Sequence, residues 1–175
     1  MKLNLGAGGQ KAEGWTSVDR AGDVDVTLDL VADDWPWPAG SVDGIVLHHI
    51  LCMLTVEEMA TVLANCYRVM KPGGVLRVSD ADLARGIQAA LRFDFGWFVE
   101  YRGGDSMEKT VGFFITQGGA RKQHLQGWDL VAQCENLGFR TAGWSSDEVV
   151  PNSIPSWVTE LDSRQGESWF AWATK

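Results

Sequence analysis

The residues most able to do chemistry stand at or next to the ends of short β-prone runs. A glycine-rich turn, Gly6-Ala7-Gly8-Gly9, closes the first run. Asp19 closes the second run, Asp29 stands one residue before the end of the third, and His48 and His49 follow the fourth. Glycines let a backbone turn sharply beside a ligand, carboxylates accept hydrogen bonds, and imidazoles transfer protons near neutral pH. The set indicates a bound small molecule next to a site of proton transfer.

Seven β-prone runs and three helical patterns position these residues. The runs are 2–6, Thr16–Asp19, Asp25–Leu30, Asp43–Leu47, Gly74–Ser79, Thr141–Ser145 and Ser168–Ala173. The helical patterns begin near Thr55, Asp82 and Trp128. The first is the clearest, because Thr55 and Glu58 form a capping box and apolar residues then fall on one face. Strands that alternate with helices predict a mainly parallel sheet with right-handed crossovers.

The whole chain, residues 1–175, is predicted to be one α/β domain. A length of 175 residues suits one hydrophobic core, and no repeat or linker interrupts the pattern. The stretch 93–127 is the least regular and carries glycine pairs at 103–104 and 118–119. We expect this stretch to form a cap over the substrate pocket.

The spacing after the glycine turn discriminates between classes of ligand. In a parallel sheet of this kind, ligands bind outside the carboxyl ends of the strands, where the turn stands. A dinucleotide requires a helix directly after the glycines, because the helix N-terminus holds the pyrophosphate. Here only residues 10–14 separate the turn from Trp15 and the second strand, too few for a crossover helix. The spacing therefore favours S-adenosylmethionine (SAM), which carries no phosphate.

Residues at the ends of the first four strands are predicted to bind this cofactor. Asp19 stands where a carboxylate could accept hydrogen bonds from both ribose hydroxyls. Asp29 stands where a carboxylate could accept a hydrogen bond from the exocyclic amine of adenine. Either aspartate could instead belong to an acidic turn. The backbone around His48 is expected to line the cofactor. The predicted cofactor-binding set is Asn4, Leu5, Gly6, Ala7, Gly8, Asp19, Arg20, Asp29, Leu30, Leu47 and His48.

The glycine turn belongs to a series of motifs that extends over nearly the whole chain. The series comprises Leu3–Gly8 (LNLGAG), Gly14-Trp15, Val18-Asp19, Asp29-Leu30, Trp37-Pro38, Ser41–Asp43, Arg68–Gly74 (RVMKPGG), Asp82-Leu83, Gly138-Phe139 and Glu167-Ser168. It resembles the motif set of a family of small class I SAM-dependent methyltransferases, which includes a segment RVLKPGG before the fifth strand. The resemblance implies SAM as methyl donor. It also implies a Rossmann-like three-layer sandwich, with a mainly parallel seven-stranded sheet and an antiparallel last strand.

Two positions depart from the pattern of that family. Many methyltransferases carry Glu or Asp two residues before the first glycine, where this chain has Asn4. The segment after the fourth strand aligns with a pattern ending H-x-L-E-H, but Cys52 and Met53 replace its last two residues. If those side chains serve catalysis in relatives, this chain lacks them. The alternative function is therefore a SAM-binding or regulatory protein that keeps the fold without the transferase activity.

Two histidines are the candidate catalytic residues. Methyl transfer needs an aligned acceptor, and a general base when the acceptor carries a proton. His49 is predicted to be the base or the acceptor-orienting group, because it occupies the family position. His124, Asp80 and Asp82 are second-rank candidates. For His48 and His49, a purely structural role at the strand end is equally compatible with the sequence. The spacing of the cysteines does not predict a metal site.

The composition constrains the partners and the location. A net charge of −8 argues against a nucleic-acid partner, because surfaces that bind nucleic acid are usually basic. It leaves room for a local basic patch, and Arg121, Lys122 and His124 form a small one, although such a run is more often a solvated loop. The methyl acceptor is predicted to be a small or medium-sized molecule. Three scattered cysteines fit a reducing cytoplasm, and no apolar run approaches the roughly 20 residues of a membrane span. We expect a cytoplasmic protein without membrane contact. We also expect an exposed cofactor site, which a second subunit could cover in a homo-oligomer.

Overall fold

A seven-stranded sheet is the centre of the fold in the computed structural model, which describes residues 1–98, 106–146, 150–164 and 166–175. The strands are β1 (Lys2–Leu5), β2 (Trp15–Asp19), β3 (Val26–Thr27), β4 (Val42–His48), β5 (Met70–Ala81), β6 (Thr141–Ser145) and β7 (Ser168–Thr174). Their order is β3-β2-β1-β4-β5-β7-β6. The first five strands run parallel, whereas β7 runs antiparallel to β5 and β6. The predicted α/β class and antiparallel last strand are confirmed.

Four helices accompany this sheet in the described part of the chain. They are α1 (Val56–Val69), α2 (Leu83–Leu91), α3 (Met107–Thr116) and α4 (Gly127–Asn136). The predicted capping box begins α1: Thr55 Oγ1 accepts from the Glu58 N–H at 3.2 Å, and Glu58 Oε2 accepts from the Thr55 N–H at 2.7 Å. Asp82, predicted inside the second helix, instead caps α2 by accepting from the Arg85 N–H at 3.1 Å.

The main core lies between the sheet and helices α1 and α4. Met59, Val62 and Leu63 of α1 are fully buried, and Leu130 of α4 is almost so. Helices α2 and α3 form a smaller core of their own, in which Phe114 packs against Phe98. Helix α3 lies inside the stretch predicted as an irregular cap, and residues 99–105 of that stretch lie outside the described residues.

The opposite face of the sheet is covered by the connection between β6 and β7 rather than by long helices. Residues 150–164 of this connection contain one short 3-10 turn, Ser156–Thr159. Trp157 packs against Gly44 of β4, where a Cβ would come within 2.0 Å of its ring. Leu161 packs beside Trp15 in the same layer. The link from Gly6 to Trp15 contains turns and no helix, as its length predicts.

Strand β3 is shorter than the predicted run Asp25–Leu30. It is an edge strand that pairs with β2 at only two positions. Directly after it, the Asp29 carboxylate accepts from the Val31 and Ala32 N–H groups at 2.9 and 3.1 Å. Because this side chain captures two backbone donors, the chain turns there instead of extending the ladder.

Candidate active site

The turn after β1 closes tightly against its neighbours on one side and is open on the other. Gly6 has φ +69°, and the Gly6 and Ala7 N–H groups donate to the Val18 carbonyl at 2.8 and 3.1 Å. A Cβ on Gly6 would lie 2.8 Å from Cγ1 of Ile50, which follows β4. A Cβ on exposed Gly8 would meet nothing within 4 Å. A ligand can therefore approach the backbone of the turn at Gly8.

Asp19 is held at the mouth of this turn. Its Oδ2 accepts from the Gly8 N–H at 2.8 Å, and its Oδ1 accepts from the Arg20 N–H at 2.7 Å. The side chain is half-buried, and each carboxylate oxygen has a further lone pair to offer. The geometry thus fixes a charged acceptor beside the open side of the turn, as binding of a ribose diol requires. The exposed Arg20 contributes its backbone N–H to this arrangement.

Asn4, Leu5 and Leu47 lie beneath the turn. Asn4 is 3% exposed and donates from Nδ2 to the Gln10 carbonyl at 3.4 Å, so it ties down the far end of the glycine segment. Leu5 and Leu47 are fully buried in the sheet. Their side chains therefore belong to the core, and a ligand at this edge can reach only their backbone.

Asp29 and Leu30 combine a turn with a buried contact. The hydrogen bonds from Val31 and Ala32 lower the pKa of Asp29, so its carboxylate is firmly ionised. Leu30 is buried, and its carbonyl accepts from Nε1 of Trp35 at 3.1 Å. Asp29 thus stabilises the turn that follows β3 through Oδ1. Its predicted hydrogen bond with adenine would use the other carboxylate oxygen, Oδ2.

His48 lies on the face of the sheet that the β6–β7 connection covers. Its Nδ1 is 2.7 Å from Ser79 Oγ, and its Nε2 is 3.6 Å from Asp162 Oδ1. Burial lowers the pKa of His48 to about 4, against the opposing effect of Asp162 and with a smaller lowering effect of Arg77. The imidazole is therefore neutral at pH 7.

His49 turns toward the opposite face, at a backbone φ of +56°. Its Nε2 is 3.0 Å from Ser168 Oγ, and its Nδ1 is 3.8 Å from Asp80 Oδ1. Burial lowers the pKa of His49 to about 3, and the positive charge of Arg164 adds to this effect. The side chain is 10% exposed. His49 is thus a neutral, weakly basic imidazole fixed at the end of β4.

A buried ion pair lies beside His49. Asp80, at the end of β5, accepts from Arg121 Nη1 at 3.3 Å, and the two side chains are 1% and 2% exposed. Burial raises the pKa of Asp80, against the opposing effect of Arg121. Residues 121–126, here called the Arg121 loop, contact the turn after β4. The Lys122 and Gln123 N–H groups donate to the Cys52 carbonyl of that turn at 2.8 and 3.2 Å. The backbone at position 52, irrespective of the side chain there, therefore helps to position Arg121.

The other second-rank candidates, His124 and Asp82, differ in their environment. His124 is an exposed residue on the Arg121 loop, and partial burial lowers its pKa, with Arg121 contributing and Asp80 opposing. Asp82 is buried, caps α2 and accepts from Ser146 Oγ at 3.0 Å. His124 is thus an exposed side chain on the same loop as Arg121, whereas Asp82 is occupied by structural contacts.

A second buried ion pair anchors the β6–β7 connection under His48. Arg77 of β5 donates from Nε and Nη2 to the two carboxylate oxygens of Asp162, at 3.1 and 2.5 Å. The side chains are 0% and 1% exposed, and the guanidinium stacks on Phe170 at 4.7 Å. The sequence does not predict this pair or the burial of Arg121 against Asp80. Arg77 appears in the sequence as a polar residue within a β-prone run, which was the one available signal.

Lowering the pH below about 6.5 is expected to destabilise the protein through these histidines. The folded-state pKa values of His48 and His49, about 4 and about 3, lie below the ordinary 6.5. The unfolded chain therefore binds more protons in this range, and stability falls as the pH falls toward 4. At about 1.4 kcal/mol per pKa unit, His48 alone accounts for roughly 3 kcal/mol. Asp80, whose pKa is raised, opposes part of this loss.

Urea unfolding at pH 7.5, 6 and 5 tests this pH dependence. His48→Gln should flatten the dependence of the unfolding free energy on pH, whereas His124→Gln, at an exposed position, should leave it nearly as in the wild type. Equal stability of the wild type at pH 7.5 and 5 would contradict the prediction.

The described residues fit SAM at the carboxyl edge of the sheet. The open side of the turn at Gly8 and the fixed Asp19 carboxylate supply the close approach and the acceptor that its ribose needs. Among these residues, no group of three or more His, Cys, Asp and Glu side chains could hold a metal ion. In the same part of the chain, no helix has the length and apolar character needed to cross a membrane.

Known proteins resemble this chain in sequence. Residues 11–78 match the model of a methyltransferase domain. The tRNA N(3)-methylcytidine methyltransferase Mettl2 of Drosophila melanogaster is 33% identical over 109 residues, which cover 56% of this chain and 33% of that protein. The tRNA N(3)-cytidine methyltransferase METTL2 of Mus musculus is 35% identical over 95 residues, covering 51% and 23%. The chain thus spans a third or less of the length of these curated relatives.

These relatives correct the prediction about partners. The expectation of a small-molecule acceptor, with nucleic acid disfavoured by the net charge, is wrong, since both relatives are tRNA methyltransferases. The physical reason is that a net charge is a sum over the chain. It does not report which charges lie at one edge of the sheet.

The fold also matches a solved structure. A SAM-dependent methyltransferase from Archaeoglobus fulgidus superimposes with a TM-score of 0.64 at 16% identity, covering 99% of this chain and 85% of that chain. That likeness concerns the fold, and the strand order with its antiparallel β7 agrees with it. Together with the methyltransferase domain matched by residues 11–78, it shows that this chain has the fold of SAM-dependent methyltransferases, for which SAM is the indicated cofactor.

Proposed function

We propose that this chain transfers a methyl group from SAM to the N3 atom of a cytosine in tRNA. The two tRNA methyltransferases among its relatives support this substrate class. The observation that carries the proposal is the burial of the His49 imidazole at the end of β4, where its Nε2 is already engaged with Ser168 Oγ at 3.0 Å and burial lowers its pKa. Cytosine N3 carries no proton, so its methylation needs alignment but no general base. An acceptor that had to lose a proton would be poorly served by this imidazole.

SAM would supply a sulfonium-bound methyl group to this edge of the sheet. On the proposed cofactor side, Asp19 binds the ribose and Asp29 accepts a hydrogen bond from the adenine amine. Leu30 packs against the adenine ring. The backbone of the turn and of the strand ends completes the site. Its members are Asn4, Leu5, Gly6, Ala7, Gly8, Arg20, Leu47 and His48.

On the acceptor side, His49 acts in this proposal as an orienting group rather than as a base. Its hydrogen bond with Ser168 and its position near Asp80 fix the ring. His124 is exposed on the Arg121 loop, where it can contact the RNA. The proposal treats residues 1–175 as one domain with 93–127 as the cap, working in the cytoplasm, where buried cysteines stay reduced.

Asp19→Asn is expected to weaken SAM binding about tenfold. A hydrogen bond to a charged acceptor contributes about 1.5–3 kcal/mol, and the amide keeps the shape but loses the charge and one acceptor. Calorimetric titration with SAM measures the change. Asp23→Asn is the matched control, because that side chain is 91% exposed and pairs with Lys11 away from the turn. Equal affinity of Asp19→Asn and the wild type would remove Asp19 from the cofactor site.

Methylation of purified tRNA with radiolabelled SAM tests the function. Nucleoside analysis of the digested product should show 3-methylcytidine, and tRNA transcripts without the modified cytosine should incorporate no label. If SAM binds but no tRNA is methylated, the proposal fails. The departures at Cys52 and Met53 would then favour the alternative, a SAM-binding protein without transferase activity.

A further inference from the structure

The buried pair of Asp80 and Arg121 contains polar atoms without protein partners. Among the described residues, no hydrogen bond reaches Arg121 Nε or Nη2. Asp80 Oδ2 has no hydrogen-bond partner among these residues, and the weakly donating thiol of Cys52 lies near the Asp80 carboxyl group. His49 Nδ1 is likewise unpaired. All of these atoms are shielded from solvent, and the two side chains of the pair are at most 2% exposed.

A second arginine of the same chain shows what the free edge of Arg121 can bind. Arg77 directs its Nε and Nη2 at both oxygens of Asp162. Arg121 uses Nη1 for Asp80, so the corresponding two-donor edge remains available. Buried donors without acceptors are costly, and they are rare in folded proteins. The Arg121 edge therefore indicates an acceptor that is not part of the described chain.

The pair stands at the acceptor end of the site. Ile50 touches Gly6 of the cofactor turn, and His49, the preceding residue, donates its N–H to the Ser79 carbonyl of β5 at 2.9 Å. Asp80 follows Ser79 directly. A continuous row of residues thus leads from the cofactor turn across β4 to the pair.

We propose that Asp80 and Arg121 recognise the base-pairing edge of the acceptor cytosine, an inference that rests on the proposed function. The Asp80 carboxylate accepts a hydrogen bond from the exocyclic amine, and the Arg121 guanidinium donates a hydrogen bond to the O2 carbonyl. N3 lies between these groups with its lone pair unengaged. Uracil presents a carbonyl in place of the amine, and this oxygen would face the Asp80 carboxylate. A site built from polar groups rejects the wrong ligand because those groups are then left unpaired.

The pair also suits the charge change of the reaction. The N3 lone pair forms the new bond to the methyl carbon while the sulfur–carbon bond breaks, and its electrons remain on sulfur. S-adenosylhomocysteine leaves, and the methylated ring carries one positive charge with no proton transferred. A carboxylate on the exocyclic amine stabilises this developing charge. Because Arg121 neutralises Asp80 beforehand, the site can hold a carboxylate that is buried.

The cytosine must leave its own stack to reach these atoms. Enzymes that modify bases extrude the target nucleotide into a pocket, and unpaired loop bases are the easiest to extrude. Since Asp80 and Arg121 are covered in the structure, the entering base displaces the atoms that cover them. The substrate class is therefore a single-stranded cytosine rather than a paired one.

Asp80→Asn and Arg121→Lys test this recognition. The probes are tRNA transcripts with cytosine or uracil at the methylated position, bound in the presence of S-adenosylhomocysteine so that no turnover occurs. The wild type should prefer cytosine at least about tenfold, and Asp80→Asn should reduce this preference to about twofold or less. Arg121→Lys keeps the charge beside Asp80 but loses the two-donor edge, and should weaken cytosine binding about tenfold. Affinity for S-adenosylhomocysteine and the melting temperature should stay unchanged in Arg121→Lys.

Asp82→Asn and Lys122→Arg are the matched controls, with the same kinds of change at neighbouring positions outside the cluster. An undiminished cytosine preference in Asp80→Asn overturns the inference, and if that variant does not fold, wild-type affinity in Arg121→Lys overturns it. Methylation of cytosine by the wild type and both variants at equal kcat/KM would refute the recognition site and leave the proposed function intact. A cytosine preference that depends on Asp80, without any methylation, would support the site and refute the proposed function.

Discussion

Replacing Asp162 with alanine is expected to lower the free energy of unfolding by about 3–5 kcal/mol. The substitution leaves Arg77 fully buried without its carboxylate, and the guanidinium cannot shed its charge. It also removes a charged contact between the β6–β7 connection and β5. Urea unfolding followed by circular dichroism at pH 7.5 measures the change.

A double variant, Arg77→Met with Asp162→Leu, is the control for this prediction. It removes both charges and leaves apolar side chains of similar size, so it should recover most of the lost stability. A loss below about 1 kcal/mol in Asp162→Ala would mean that water reaches the guanidinium and that the pair is of the weak, solvated type. The prediction would then be wrong.

Gly6→Val is expected to weaken SAM binding about 100-fold. A left-handed backbone costs a residue with a side chain about 1–2 kcal/mol, and a β-branched residue adds to that. The new Cβ would also lie 2.8 Å from Ile50, so the turn must shift away from β4. The displaced turn must return to its wild-type position to bind SAM, and this reintroduces the strain. Each 1.4 kcal/mol of that strain corresponds to a tenfold loss of affinity. Calorimetric titration with SAM and with S-adenosylhomocysteine measures the effect.

Gly14→Val separates backbone strain from the contact at the turn. Gly14 has φ +77°, but the nearest atom to its Cβ position, Lys2 Cε, is 4.0 Å away. This variant should lose stability and keep its affinity for SAM. Adding Ile50→Ala to Gly6→Val should restore part of the affinity. If Gly6→Val binds SAM as the wild type does, the turn is not the cofactor contact.

Local signals were sufficient to predict much of the fold from the sequence. The capping box of Thr55 and Glu58 is a contact between residues three apart, and it begins α1 as predicted. The shortness of the link after Gly9 excluded a crossover helix before Trp15. The antiparallel β7 was different in kind, because it followed from the resemblance to a family and not from the residues alone.

Contacts between distant residues set the limit of prediction for the site. Arg77 and Asp162 are 85 residues apart, and Arg121 and Asp80 are 41 apart. No local pattern pairs such residues, since the sheet and the loops bring them together only after folding. The burial of His48 and His49 has the same origin, because their neighbours Asp162 and Ser168 come from the end of the chain. The sequence could name the histidines but could not predict their protonation state.

The position of β7 between β5 and β6 has a consequence for the order in which the molecule assembles. Strands β1 to β5 pair with one another in the order β3-β2-β1-β4-β5 and are all made before residue 82, so five strands can form a sheet early, with one edge of β5 left unpaired until β7 is made. In the described chain β6 pairs only with β7, and therefore it has no place in the sheet until Ser168–Thr174 arrives. The connection with Trp157 and Leu161 also reaches the exposed apolar face late. During synthesis, the half-built domain thus presents an unprotected strand edge and a bare sheet face, which are the surfaces most prone to aggregate.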